Sequence, residues 1–196
     1  MITSYSHKNT AARSLAIKGF SLVEVLVVVA IIAVLAAVTF PVASNILRSG
    51  KLKKNKEIVT GLELAISRFH TEYQYFPAEE DKVYSGDSLT EILIELAGTD
   101  NQPVYNIKGI NFLEALPEAK SGRSGITRSE GKITGLTNSF GEDVYVKFDL
   151  DFDEKIDAPS EFETREVSGV RSLVWTFSDE EDSGGDNNKD AAASWR

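Results

Sequence analysis

The chain has 196 residues, enough for one modest globular domain with additions, and its 30 acidic residues outnumber its 21 basic ones for a net charge of −9. That balance argues against a nucleic-acid-binding domain, which holds phosphates by neutralising them. The absence of cysteine removes disulfide frameworks, thiolate zinc sites, iron–sulfur clusters and cysteine nucleophiles, and two histidines, His7 and His70, are too few for a multi-histidine metal site.

Residues 1–19 carry Lys8, Arg13 and Lys18 and no acid. Residues 25–38 then form an unbroken apolar run, and the wider stretch 20–43 contains one charge, Glu24. At 1.5 Å rise per residue a helix over that stretch reaches roughly 36 Å, longer than a hydrocarbon core of about 30 Å. Val and Ile dominate the run, but it is too long for a strand, so length decides for a helix. The basic flank places the N-terminal end in the cytoplasm and the bulk of the chain on the other side. The apolar run exceeds the h-region of an ordinary secretory signal. A carboxylate near its start is costly in a bilayer and needs either the headgroup region, the positive end of the helix dipole or a cationic partner.

The segment Lys18-Gly19-Phe20-Ser21-Leu22-Val23-Glu24 resembles the processing site of type IV prepilins and type II secretion pseudopilins. The resemblance implies cleavage between Gly19 and Phe20 by a prepilin peptidase, N-methylation of Phe20, and retention of the apolar segment. Pro41 falls where that family often bends its helix, as a proline without an N–H does. In such a family Glu24 of an incoming subunit meets the Phe20 amine of a neighbour, so that each buried charge offsets the desolvation of the other. The apolar helices then form the core of a filament.

Beyond Pro41 lies a basic cluster, Arg48, Lys51, Lys53, Lys54 and Lys56, which suits a solvated helix face or contact with anionic headgroups or acidic neighbours. Ile58, Val59, Leu62, Ala65, Ile66, Phe69 and Tyr73 recur at helical spacing and predict one helix over 22–72, with Gly50 and Gly61 as weak points. His70, beside the aromatic residues Tyr73, Tyr75 and Phe76, is expected to pack rather than to ligate. Phe76-Pro77 ends the helix. Ser88-x-x-Glu91 predicts a capping box and a second helix over 89–97, stopped by Gly98. This order resembles the major, G-type, pseudopilin.

Residues 99–139 are poorly patterned. Residues 111–116 suit a short strand or helical turn, and the glycines between 120 and 138 suggest a loop. Alternation predicts strands over 143–150 and 170–177. The expected fold is therefore α+β and type IV pilin-like: a long N-terminal helix, half transmembrane and half amphipathic, packed on a small antiparallel sheet. The expected divisions are a cleaved leader at 1–19, a transmembrane and filament-core helix at 20–43, an amphipathic helix at 44–76, an α+β head at 77–178 and an acidic loop or tail at 179–196. Asn138 to Tyr145 resembles a G-type stretch in its Phe140-Gly141 and Tyr145 and departs from it elsewhere.

Two acidic clusters have the hard oxygen donors that calcium prefers. Asp149-x-Asp151-x-Asp153 opens like an EF-hand loop but has Glu154 and Ser160 where that loop needs Gly and a bidentate Glu, so a charged strand end and turn is expected. The run 178–190 holds six acids around Gly184-Gly185. Their mutual repulsion favours either a solvated, disordered tail or a bound cation. The resemblance implies a calcium loop here, ahead of Ser194-Trp195, with Asp179, Asp182, Asp186 and Asp190 as ligands.

No nucleophile elbow, histidine pair or phosphate loop is present, so no enzyme is indicated. The resemblance implies a pseudopilin of a type II secretion system, anchored once in a bacterial inner membrane with its head in the periplasm. Its partners would be membrane lipid, other pseudopilins, the peptidase and methyltransferase, and an inner-membrane assembly platform. A type IV pilin for adhesion, motility or DNA uptake is the alternative, against which the lack of cysteine counts because many pilins close a C-terminal disulfide. A membrane-anchored binding domain that never polymerises is the third reading. The calcium loop predicts a melting temperature raised by calcium; a melting curve unmoved by EDTA removes that expectation.

Overall fold

The computed structural model describes residues 20–99, 103–160, 162, 166–178 and 191–195. The chain divides into two units between residues 44 and 45. The helix α1 (Leu22–Tyr73) runs through that division and is helical through Pro41, Gly50 and Gly61 alike.

In the second unit, Ile58, Val59, Leu62, Ala65, Ile66 and Phe69 of α1 are fully buried. Their spacing, i, i+3, i+4, i+7, puts them on one stripe. They share a hydrophobic cluster with Leu89, Leu93 and Leu96 of α2 (Gly86–Ala97) and with Val144, Val146 and Val174 of the sheet. Fully burying one such Leu or Val side chain contributes roughly 1.5–3 kcal/mol.

Helix α2 starts three residues earlier than predicted. Its N-cap is Ser85, and Ser88 is the third helical residue, whose Oγ accepts the Ser85 N–H at 3.0 Å and donates to the Ser85 carbonyl at 2.8 Å. Gly86, at φ +51°, opens the helix. Gly98 ends it as expected, in the left-handed conformation (φ 63°), its N–H donating to the Glu95 carbonyl. The 111–116 stretch contains a 3-10 turn, Leu113–Ala115.

The expected loop at 120–138 is instead an antiparallel hairpin of β1 (Gly125–Ser129) and β2 (Lys132–Thr137). Its two-residue turn, Glu130-Gly131, has φ of 51° and 82°, the positive pair that matches the twist of a tight hairpin. A register shift between Thr127 and Arg128 breaks the alternation of apolar residues, which hid the strands from the sequence pattern.

The two strands that alternation predicted are β3 (Val144–Phe148) and β6 (Ser172–Thr176), paired antiparallel with Val146 opposite Val174. Between them lies a small pair, β4 (Lys155–Asp157) and β5 (Glu166–Ser168). A two-residue strand, β7 (Ala192–Ala193), joins the far edge of β6, giving the order β3-β6-β7. Val174 packs toward α1, whereas Leu173 and Trp175 join Ile156, Phe162 and Ala193 in a second cluster on the opposite face. Strand β6 is therefore buried on both faces.

Gly98 is the tightest close approach outside the sheets: a Cβ there would lie 2.6 Å from the Gly109 carbonyl carbon. Gly98→Ala is expected to destabilise the protein by ~1–3 kcal/mol through strain and clash together. A melting temperature equal to that of the unchanged protein would contradict this placement of the 103–110 loop.

Candidate functional site

The start of α1 is organised by two side chains of the predicted processing segment. The Ser21 N–H donates to Glu24 Oε2 at 2.9 Å, and the Glu24 N–H donates to Ser21 Oγ at 3.2 Å. This is a reciprocal capping box, which satisfies two of the backbone donors that a helix N-terminus leaves free. The sequence left Glu24 to the headgroup region, the positive helix end or a cationic partner; the Ser21-x-x-Glu24 spacing also carries the reciprocal bond. Phe20 is 79% exposed. From Leu22 to Leu35 the large apolar side chains of the helix remain exposed. A surface of this kind requires cover from lipid or from other apolar helices.

Among the described residues no helix is long and apolar enough to cross a membrane. Gly19 and the leader at 1–19 lie outside the described residues, as do Asp179, Asp182, Asp186 and Asp190.

Two asparagines that the sequence did not single out hold the second unit together. Asn138 Oδ1 accepts the N–H groups of Phe140, Gly141 and Glu142, while its Nδ2 donates to Thr176 Oγ1 and the Phe177 carbonyl. Next to it, the Ser139 N–H donates to Oδ1 of Asn55 on α1 at 2.8 Å. Asn106, fully buried, accepts from the Tyr73 hydroxyl at 2.6 Å and donates to the carbonyls of Glu95 and Ile110.

The carboxylates of Asp149, Asp151 and Asp153 converge within 4.8 Å of one another. Asp149 is buried, and its two oxygens accept the N–H groups of Asp153 (3.2 Å) and Glu154 (2.9 Å). Burial, and after it the Asp151 carboxyl, push Asp149 above the usual carboxylate range, against the two backbone donors. These bonds shape the turn after β3 that the sequence predicted.

His70 is buried against Phe76, ring centroids 4.7 Å apart. Arg171 Nη1 donates to its Nε2 at 3.3 Å, which calls for a neutral ring protonated on Nδ1. Burial first, then the Arg171 charge, hold His70 below the ordinary imidazole range, outweighing Asp149.

Residues 15–40 match the family model of the prokaryotic N-terminal methylation motif. A curated relative, the fimbrial protein EcpC of Eikenella corrodens, is 25% identical over 88 residues, which is 42% of this chain and 58% of that protein. The chain thus matches little more than half the length of that relative. No solved structure matches it. The motif and the relative together support a type IV pilin-like protein with a prepilin-type N-terminus.

The His70 environment generates a pH dependence. A folded-state pKa below the unfolded value of about 6.5 gives stability that is complete above about pH 6.5 and is lost as pH falls through and below it. The melting temperature is expected to fall between pH 7 and 5, and His70→Gln to remove most of that fall. An equal fall in the variant would assign it to another group.

Proposed function

We propose that the chain is a structural filament subunit of the pseudopilin kind, processed after Gly19, anchored in a bacterial inner membrane and polymerised into a periplasmic pseudopilus that exports folded proteins. The observation that carries this reading is the coincidence of the methylation motif at 15–40 with an exposed apolar helix that keeps one carboxylate, Glu24, in its first turn. Cleavage would leave a free amine on Phe20. The Glu24 carboxylate of an incoming copy would neutralise the amine of a neighbour and set the axial register, while the apolar residues of α1 exchange lipid for other helices. The peptidase and methyltransferase, an assembly platform and other pseudopilins are the partners this reading needs. Calcium at Asp179, Asp182, Asp186 and Asp190 belongs to the same reading. A type IV pilin is the second reading, favoured by the fimbrial relative. Deleting the gene separates them: a pseudopilin strain stops secreting folded proteins, and a pilin strain loses adhesion, motility or DNA uptake.

Mass spectrometry of the membrane-extracted protein is expected to show loss of residues 1–19 and one added methyl. A mature form that keeps Met1, in a host with the peptidase, would overturn the proposal. Glu24→Gln retains an acceptor for the Ser21 N–H but cannot neutralise an ammonium. Both Glu24→Ala and Glu24→Gln should still be processed yet lower filament yield by about tenfold or more, because removing one partner of a buried ion pair costs roughly 3–5 kcal/mol. Normal filaments from Glu24→Gln would reduce Glu24 to a helix cap.

A further inference from the structure

Two surface features of the second unit have complementary chemistry. The first is a groove of about 630 Å³ between α1 and the 3-10 turn, floored by Gly61, Leu64, Leu116 and Pro117. Leu64 is 41% exposed on a helix whose apolar neighbours are buried. Gly61 opens the floor: a Cβ there would stand 3.1 Å from Leu116 Cδ2. About two turns from Gly61 toward the N-terminus, Lys53 and Lys54 are exposed and form no ion pair among the described residues. The segment that carries them is fixed to its own unit. Lys51 lies over the Phe140 ring at 4.7 Å, Asn55 accepts the Ser139 N–H, and Lys56 donates to the Ala193 carbonyl at 2.8 Å.

The second feature is Phe152, 52% exposed and flanked by the exposed carboxylates of Asp151 and Asp153. It projects from the turn that Asp149 holds, stacked 6.0 Å from Phe76, with a left-handed backbone at φ 60°. A half-exposed aromatic between two acids is the counterpart of an apolar groove with two exposed lysines on the same helix about two turns beyond Gly61.

Resting on the filament reading above, we propose that Phe152 of one copy seats in the groove at Gly61, Leu64 and Leu116 of the next, with Asp151 and Asp153 against Lys53 and Lys54. Phe152 stands beside His70, ring centroids 6.0 Å apart, while the groove centres near Gly61. Nine residues of α-helix separate the two by about 14 Å along the axis, at 1.5 Å each. At about 100° per residue, His70 and Leu64 also point in directions about 120° apart. Knob and groove are thus different patches, which permits a head-to-tail contact; such a contact builds an open series wherever the rotation between copies does not close it into a ring. Glu57 and Glu114 on the sides of the groove repel the carboxylates of the knob and direct them to the lysine end. The net charge of −9 disfavours the other partner of a basic face, an anionic lipid surface.

The chain contains no cysteine, which leaves a clean background for introduced pairs. Full-length Leu64→Cys and Phe152→Cys proteins, co-expressed in a host that processes and assembles the subunit, should form a disulfide-linked dimer on oxidation. Both changes in one chain should give a ladder of oligomers, and Leu64→Cys with Ser129→Cys should give neither. Lys53→Asp and Asp151→Lys should each lower filament yield several-fold, and together restore it. Filaments that form normally without the Leu64–Phe152 link overturn the contact and leave the filament reading intact. Loss of membrane association in Lys53→Asp, with no crosslink in the parent pair, assigns the lysines to lipid and also overturns it. No polymer from the unchanged protein overturns the filament reading itself.

Discussion

The apolar stripe of α1 from Ile58 to Phe69 is the constraint on which the second unit depends. A helix cannot leave such a stripe in water, and every larger element of the unit supplies part of its cover: Leu93 and Leu96 from α2, Val144 and Val146 from β3, Val174 from β6. In the first half of the same helix the large apolar side chains described remain exposed from Leu22 to Leu35. One helix thus carries two apolar surfaces. The first is covered by the second unit, and in the proposed filament the second would be covered by other copies.

Glu24 stands where these demands meet the helix end. In the single chain its carboxylate is bound to the Ser21 N–H. In the proposed filament it would turn to the amine of another copy, so assembly would exchange a local cap for an ion pair between copies. The exchange is favourable only where the amine is itself desolvated, since exposed ion pairs contribute about 0–1 kcal/mol. Such a carboxylate would discriminate between a buried, assembled neighbour and a solvated one.

The parts of the fold that were legible in the sequence are those set by long periodic patterns: α1 from its apolar run and its Ile58–Phe69 spacing, and β3 and β6 from alternation. The hairpin β1–β2 was hidden by its register shift and by a Glu-Gly turn in place of Asn-Gly. Strands β4, β5 and β7 are two or three residues long and carry no period of their own. They exist because neighbouring elements place their backbones in range. Asn106 and Asn138 escaped notice for a related reason, since their partners are distant in sequence and a hydrogen-bond hub leaves no local pattern. At the processing segment the motif was visible and one half of its capping box was overlooked.

The pairing of β7 with β6 also determines what light reports on this molecule. Both tryptophans of the chain, Trp175 and Trp195, lie on the same side of that sheet with rings 6.2 Å apart, and Phe162 packs edge-on against Trp195. Neither indole belongs to the cluster around α1. Intrinsic emission excited at the red edge therefore reports on this face of the sheet and on the docking of the last strand, and reaches the helical core only through β6.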